Sequence, residues 1–71
     1  MQGTIYVVKL GNDIMPHFRL WGETYVAQPG VEIIFQISGE GSPEDLLTIL
    51  SIRTMREARR RGLKINPLDF D

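Results

Sequence analysis

Residues 42–62 read SPEDLLTILSIRTMREARRRG, and this stretch constrains the fold more than any other. Ser42 suits an N-cap, Pro43 the first helical position, and Glu44 and Asp45 the positive end of a helix dipole. Gly62 suits the left-handed residue that closes a helix, with Leu63 placed to touch Ala58 as the apolar contact of a Schellman motif. The spacing predicts one helix over Pro43–Arg61. It takes up a large share of a 71-residue chain, so the rest must supply whatever the helix packs on.

That remainder reads as strands. TIYVVKL (Thr4–Leu10) is rich in β-branched and aromatic residues, and Gly11-Asn12 fits a two-residue hairpin turn with both residues at positive φ. HFRLW (His17–Trp21) alternates, and Pro16 requires that this strand start at His17 or lie on an edge. WGET fits a second turn, and TYVA (Thr24–Ala27) a short further strand. Pro29-Gly30 suits the centre of a type II turn, and VEIIFQIS (Val31–Ser38) puts Val31, Ile33, Phe35 and Ile37 on one face. The expected fold is α+β. A three- or four-stranded antiparallel meander precedes one C-terminal helix packed on one sheet face, in two layers (β-β-(β)-β-α).

Size bounds what such a domain can do. Residues 1–71 make a single small domain, with 65–71 as a tail that either docks through Leu68 and Phe70 or frays. A chain this short buries only about 60% of its unfolded surface, so an added source of stability is expected. The chain has no Cys and a single His, His17, which closes off disulfides, thiolate chemistry and a zinc site built on imidazoles. Assembly is the simplest staple left. With 42% hydrophobic and 24% charged residues the composition is globular, without a membrane-length apolar run or a signal-peptide pattern. The expected setting is cytoplasmic. By composition alone, such a chain fits phage-encoded or accessory bacterial proteins.

Charge is divided along the chain. Residues 1–52 carry a net −4 and residues 53–64 a net +5, inside a total of −1. Arg53, Arg56 and Arg60 fall on one stripe of the helix at i, i+3, i+7. Two origins compete. Cations at a helix C-terminus match the dipole, by about 0.3–1 kcal/mol each at low salt, and Glu57 lies four residues from both Arg53 and Arg61. Alternatively, Arg53, Arg56, Arg59, Arg60, Arg61 and Lys64 form a phosphate-binding row on nucleic acid. No aromatic residue interleaves with them, which weakens the case for single strands.

The first half of the helix is apolar nearly all round. Leu46, Leu47 and Leu50 can face the sheet, which leaves Ile49, Ile52 and Met55 pointing elsewhere. Such a stripe is expected to be an interface, with Ile49, Ile52 and Met55 as its dry centre and Arg53, Arg56 and Arg60 as a charged rim. The tail is the competing cover.

Other patterns point weakly to chemistry. ISGEGSPEDL has the strand–glycine–helix order of a phosphate cradle, but the third glycine is missing and Glu40, Glu44 and Asp45 would repel an anion. His17 has the right intrinsic pKa for a general base but no nucleophile motif beside it. Trp21 and Tyr25 are either an aromatic contact patch or large edge residues. The sequence therefore predicts no enzyme, no cofactor and no metal. It predicts a protein-interaction module, homodimeric and acting as a regulator, inhibitor or accessory subunit toward an acidic partner, with nucleic-acid binding as the alternative.

Overall fold

A computed structural model describes residues 1–65. It contains β1 (Gln2–Leu10), β2 (Asp13–Leu20), β3 (Val31–Glu40) and α1 (Leu46–Arg60). The sheet is antiparallel in the order β2-β1-β3, with α1 against one face, so the expected two-layer α+β architecture is present. Three strands form, not four, and the third does not follow the second in space. Residues 21–30 carry the chain past β1, and β3 pairs with its other edge. Thr24–Ala27 is not a strand. Instead Tyr25 stacks on Tyr6 of β1 and His17 of β2, at 5.2 and 5.3 Å between centroids, and straps the face opposite the helix.

The turns follow from backbone chemistry. The hairpin closes at Leu10–Asp13 around Gly11 at φ +61°. Asn12 is not at positive φ, so the turn is of the type II′ kind, which needs only its first central residue there. Pro16 lies inside β2, which begins four residues earlier than expected. The strand tolerates it because β2 is an edge strand, and a missing N–H there costs no ladder bond. Gly30, at φ +86°, sits where a type II turn needs it, and the Val31 amide donates to the Gln28 carbonyl at 3.0 Å.

One irregularity redirects β3. Val7 faces Phe35 but Val8 faces Ile33, so Ile34 is an extra residue in a bulge. Ile34 and Phe35 both join the core side, while Ile33 moves to the other face and is 43% exposed. The expected single face of Val31, Ile33, Phe35 and Ile37 is therefore broken at the bulge.

The core lies between sheet and helix: Ile5, Val7 and Phe35 meet Leu46, Leu50 and Ala58, and Ile65 returns after the helix to join them. Regular helix begins at Leu46 rather than Pro43, because Pro43–Asp45 form a turn. Ser42 still does the capping: its hydroxyl oxygen accepts the Asp45 amide at 3.3 Å, and its carbonyl accepts the Leu46 amide at 2.9 Å. At the other end Gly62 is at φ +73°, the Leu63 amide donates to the Ala58 carbonyl at 2.8 Å, and the Gly62 amide donates to the Arg59 carbonyl at 3.0 Å. Those two bonds are the full Schellman motif.

Two paired glycines set the helix height. Gly3 faces Gly39 across the β1–β3 ladder. A Cβ at Gly3 would fall 2.9 Å from the Phe18 ring and 3.1 Å from Leu46, and one at Gly39 would fall 2.8 Å from Leu50. No helix of the described residues is long and apolar enough to cross a membrane.

This packing yields a stability prediction. Gly3→Val should destabilise the fold by about 1–3 kcal/mol through overpacking, read as a fall in melting temperature of roughly 4–8 °C per kcal/mol. An unchanged melting temperature would mean that the helix does not rest on this glycine pair.

Candidate functional site: an apolar groove along the outer flank of the helix

Only one side of α1 is committed to the core. Leu46, Leu50, Thr54 and Ala58 recur every four residues and are buried. Thr54 is a polar member of this stripe, and its hydroxyl donates to the Leu50 carbonyl at 2.7 Å, so its burial leaves no hydroxyl donor unmade. Sequence reasoning did not find Thr54 or Ala58 as core residues, because neither is large or aliphatic enough to mark a face. The i, i+4 recurrence was the available signal.

The expected partition of the other apolar residues is redrawn. Leu47 does not face the sheet; it is 42% exposed. Ile49 is half-buried against the Gly41 turn. Ile52 is 50% exposed, the most open aliphatic residue of the helix. Met55 is half-buried: it touches the core and also reaches the surface. The three therefore do not share one surface. Ile52 and Met55 belong to the outer flank, with Leu47 in the place given to Ile49.

After the helix the chain turns back along this flank. Leu63 and Ile65 form a second wall facing Leu47, Ile52 and Met55, and the groove between them is open and about 950 Å³ in volume. Its floor is aliphatic, Ser51 on its wall is satisfied by the Leu47 carbonyl at 2.6 Å, and its cations are Arg56, Arg59 and Lys64. Among the described residues no acidic side chain lines it. The docking expected for Leu68 and Phe70 concerns residues outside those described.

The arginines divide into two groups that the sequence did not separate. Glu57 accepts from Arg60 at 2.7 Å and from Arg61 at 2.6 Å. These two guanidinium groups, Arg60 first, hold the Glu57 carboxyl down to about 2 from an ordinary 4.5, and Glu57 in turn raises Arg60. Arg61 also lies over the Phe35 ring at 4.7 Å, so it ties the end of α1 to β3. Arg53 reaches back over Gly39, with Nη1 3.2 Å from where a Cβ there would sit. Arg53, Arg60 and Arg61 are thus engaged by the fold itself. Arg56, Arg59 and Lys64 face the groove, and among the described residues none of them forms an ion pair.

The remaining candidates are placed elsewhere. His17 is in the stack with Tyr25, and Arg19 lies 5.5 Å from the centre of the same ring. Trp21 is 82% exposed just past β2. Tyr25 is held in the strap, so Trp21 and Tyr25 form no common patch at the groove. Glu44 and Asp45 remain at the helix start, where the Ser42 hydroxyl donates to Asp45 at 2.9 Å.

The Glu57 pairs carry a pH prediction. Because folding depresses this carboxyl, its stabilisation is full above about 4.5 and is lost as pH falls toward about 2. Acid titration should loosen the last turn of α1 in that window, and Glu57→Gln should remove that component of the titration. An NMR titration of the Glu57 carboxyl with a midpoint near 4.5 would contradict the pairing.

Compared with known proteins, the chain matches no family model, no curated protein and no solved structure at a significant level.

Proposed function

We propose that this chain is a small, non-enzymatic protein-interaction module, a regulator, inhibitor or accessory subunit that docks through the outer flank of α1. One observation carries the reading. The core is complete without Leu47 and Ile52, yet these residues stand 42% and 50% exposed beside Met55 in a continuous apolar groove. Apolar surface in a concave, contiguous strip favours protein contact in a way that scattered aliphatic residues do not. A small-molecule site is less well supported, because among the described residues no buried polar side chain lines the groove to orient a ligand. The setting proposed with this reading is cytoplasmic.

Homodimerisation through this surface is the weaker form of the proposal. A two-fold contact sets a patch against its own copy, and among the described residues this patch has Arg56, Arg59 and Lys64 but no acid. Groove-to-groove pairing would oppose like charges. The second reading, nucleic-acid binding, is favoured by those same three cations, but their apolar floor has no role in contact with phosphate.

Photo-crosslinking from inside the groove separates these readings. A photoreactive residue at position 52 should give a discrete, nuclease-resistant protein adduct in cells that make the chain, and Leu47→Glu should abolish it. An identical adduct pattern from position 23, or none from 52, would overturn the interaction reading. For nucleic acid the expected result is no binding at low salt. If binding occurs with a steep salt slope that falls by about one for each of Arg56→Ala and Arg59→Ala, the second reading replaces the first.

A further inference from the structure

We infer that the groove is built for an acidic amphipathic helix of about three turns, supplied by a partner protein. The inference rests on the interaction reading above and names the chemistry of its occupant. Length comes first. The outer flank from Leu47 to Arg59 is one continuous helix edge, thirteen residues by their numbering, and the twelve steps between its ends, at 1.5 Å each, run roughly 18 Å. An apolar strip of that length, with Leu63 and Ile65 also lining the groove, accepts the i, i+3, i+4, i+7 face of another helix.

Charge then selects the sign of the occupant. Arg56, Arg59 and Lys64 rim the groove without an ion pair among the described residues, while the nearest acid on α1, Glu57, is saturated by Arg60 and Arg61. Among the described residues the charge at the groove is therefore wholly positive. A helix with carboxylates beside its apolar face would match both floor and rim. A basic helix would meet like charge on entry, which slows association and raises the cost of docking. A second copy presents the same cations, and a nucleic acid leaves the aliphatic floor in water.

The test uses the full chain and three labelled synthetic peptides of about twelve residues. One carries leucines on one helical face and glutamates beside them. Its twins replace every glutamate by lysine, or every leucine by serine. Fluorescence anisotropy should show binding of the leucine–glutamate peptide, at least tenfold weaker binding of the lysine twin and none of the serine twin. Ile52→Glu should abolish binding, and Arg59→Glu with Lys64→Glu should shift the preference toward the lysine twin. Circular dichroism should show that these variants keep their helix, since all three positions are exposed.

Equal binding of the acidic and basic peptides, lost in Ile52→Glu, would overturn the acidic assignment and leave the interaction reading standing. Absence of binding by either leucine peptide would overturn the assignment, with the crosslink from position 52 still deciding the broader reading. A tenfold gain in affinity on Leu68→Ser with Phe70→Ser would identify the chain's own residues 66–71 as the resident of the groove, and the assignment would fall. It would fall equally if sedimentation showed a dimer that Ile52→Glu dissolves, or if duplex DNA displaced the peptide at matched concentration.

Discussion

The seating of Leu46 and Leu50 on the glycine pair Gly3–Gly39 is the contact on which the rest of the structure depends. With no Cβ on either strand at that point, the first half of α1 comes close to the sheet at β1 and β3. The close end is anchored by the Ser42 turn, and the far end by Arg61 over Phe35 and the Schellman closure at Gly62. A helix held at both ends and buried along an i, i+4 stripe has fixed rotation. Leu47, Ile52 and part of Met55 must then lie outside the stripe. The open groove is a consequence of how the core closes.

The positive charge at the end of α1 falls into two groups. On the side toward β3, Arg60 and Arg61 share Glu57, and Arg53 lies over Gly39; these cations fasten the helix end. Arg56, Arg59 and Lys64, which line the groove, form no ion pair among the described residues and border the apolar floor. Exposed ion pairs of the first kind are individually worth little. They also occupy the Glu57 carboxylate, the one acidic side chain of α1.

Much of the architecture was legible in the sequence. The closure at Gly62 and the cap at Ser42 were readable because capping is local chemistry, whereas the start expected at Pro43 was not met, since Pro43–Asp45 form a turn and regular helix begins at Leu46. The edge position allowed by Pro16 and the type II turn at Pro29-Gly30 were readable for the same reason. What could not be read depends on neighbours in space. The bulge at Ile34 arises from pairing with β1, and it moves Ile33 off the core face although the alternation of β3 is unbroken in sequence. Tyr25 lies in β-rich sequence but takes its place by stacking on Tyr6 and His17. Of the site, the existence of a surplus apolar flank was legible in LLTILSI. Its membership was not, because Leu47 and Ile49 exchange roles according to a rotation that Gly3 and Gly39 set.

α1 carries an apolar flank that residues 1–65 leave uncovered. Methyl NMR of the full chain, dilute and in the presence of a soluble paramagnetic chelate, tests it most directly. The account predicts strong relaxation of the Leu47 and Ile52 methyl groups, with Leu46 and Leu50 unaffected. Equal protection of all four would contradict it.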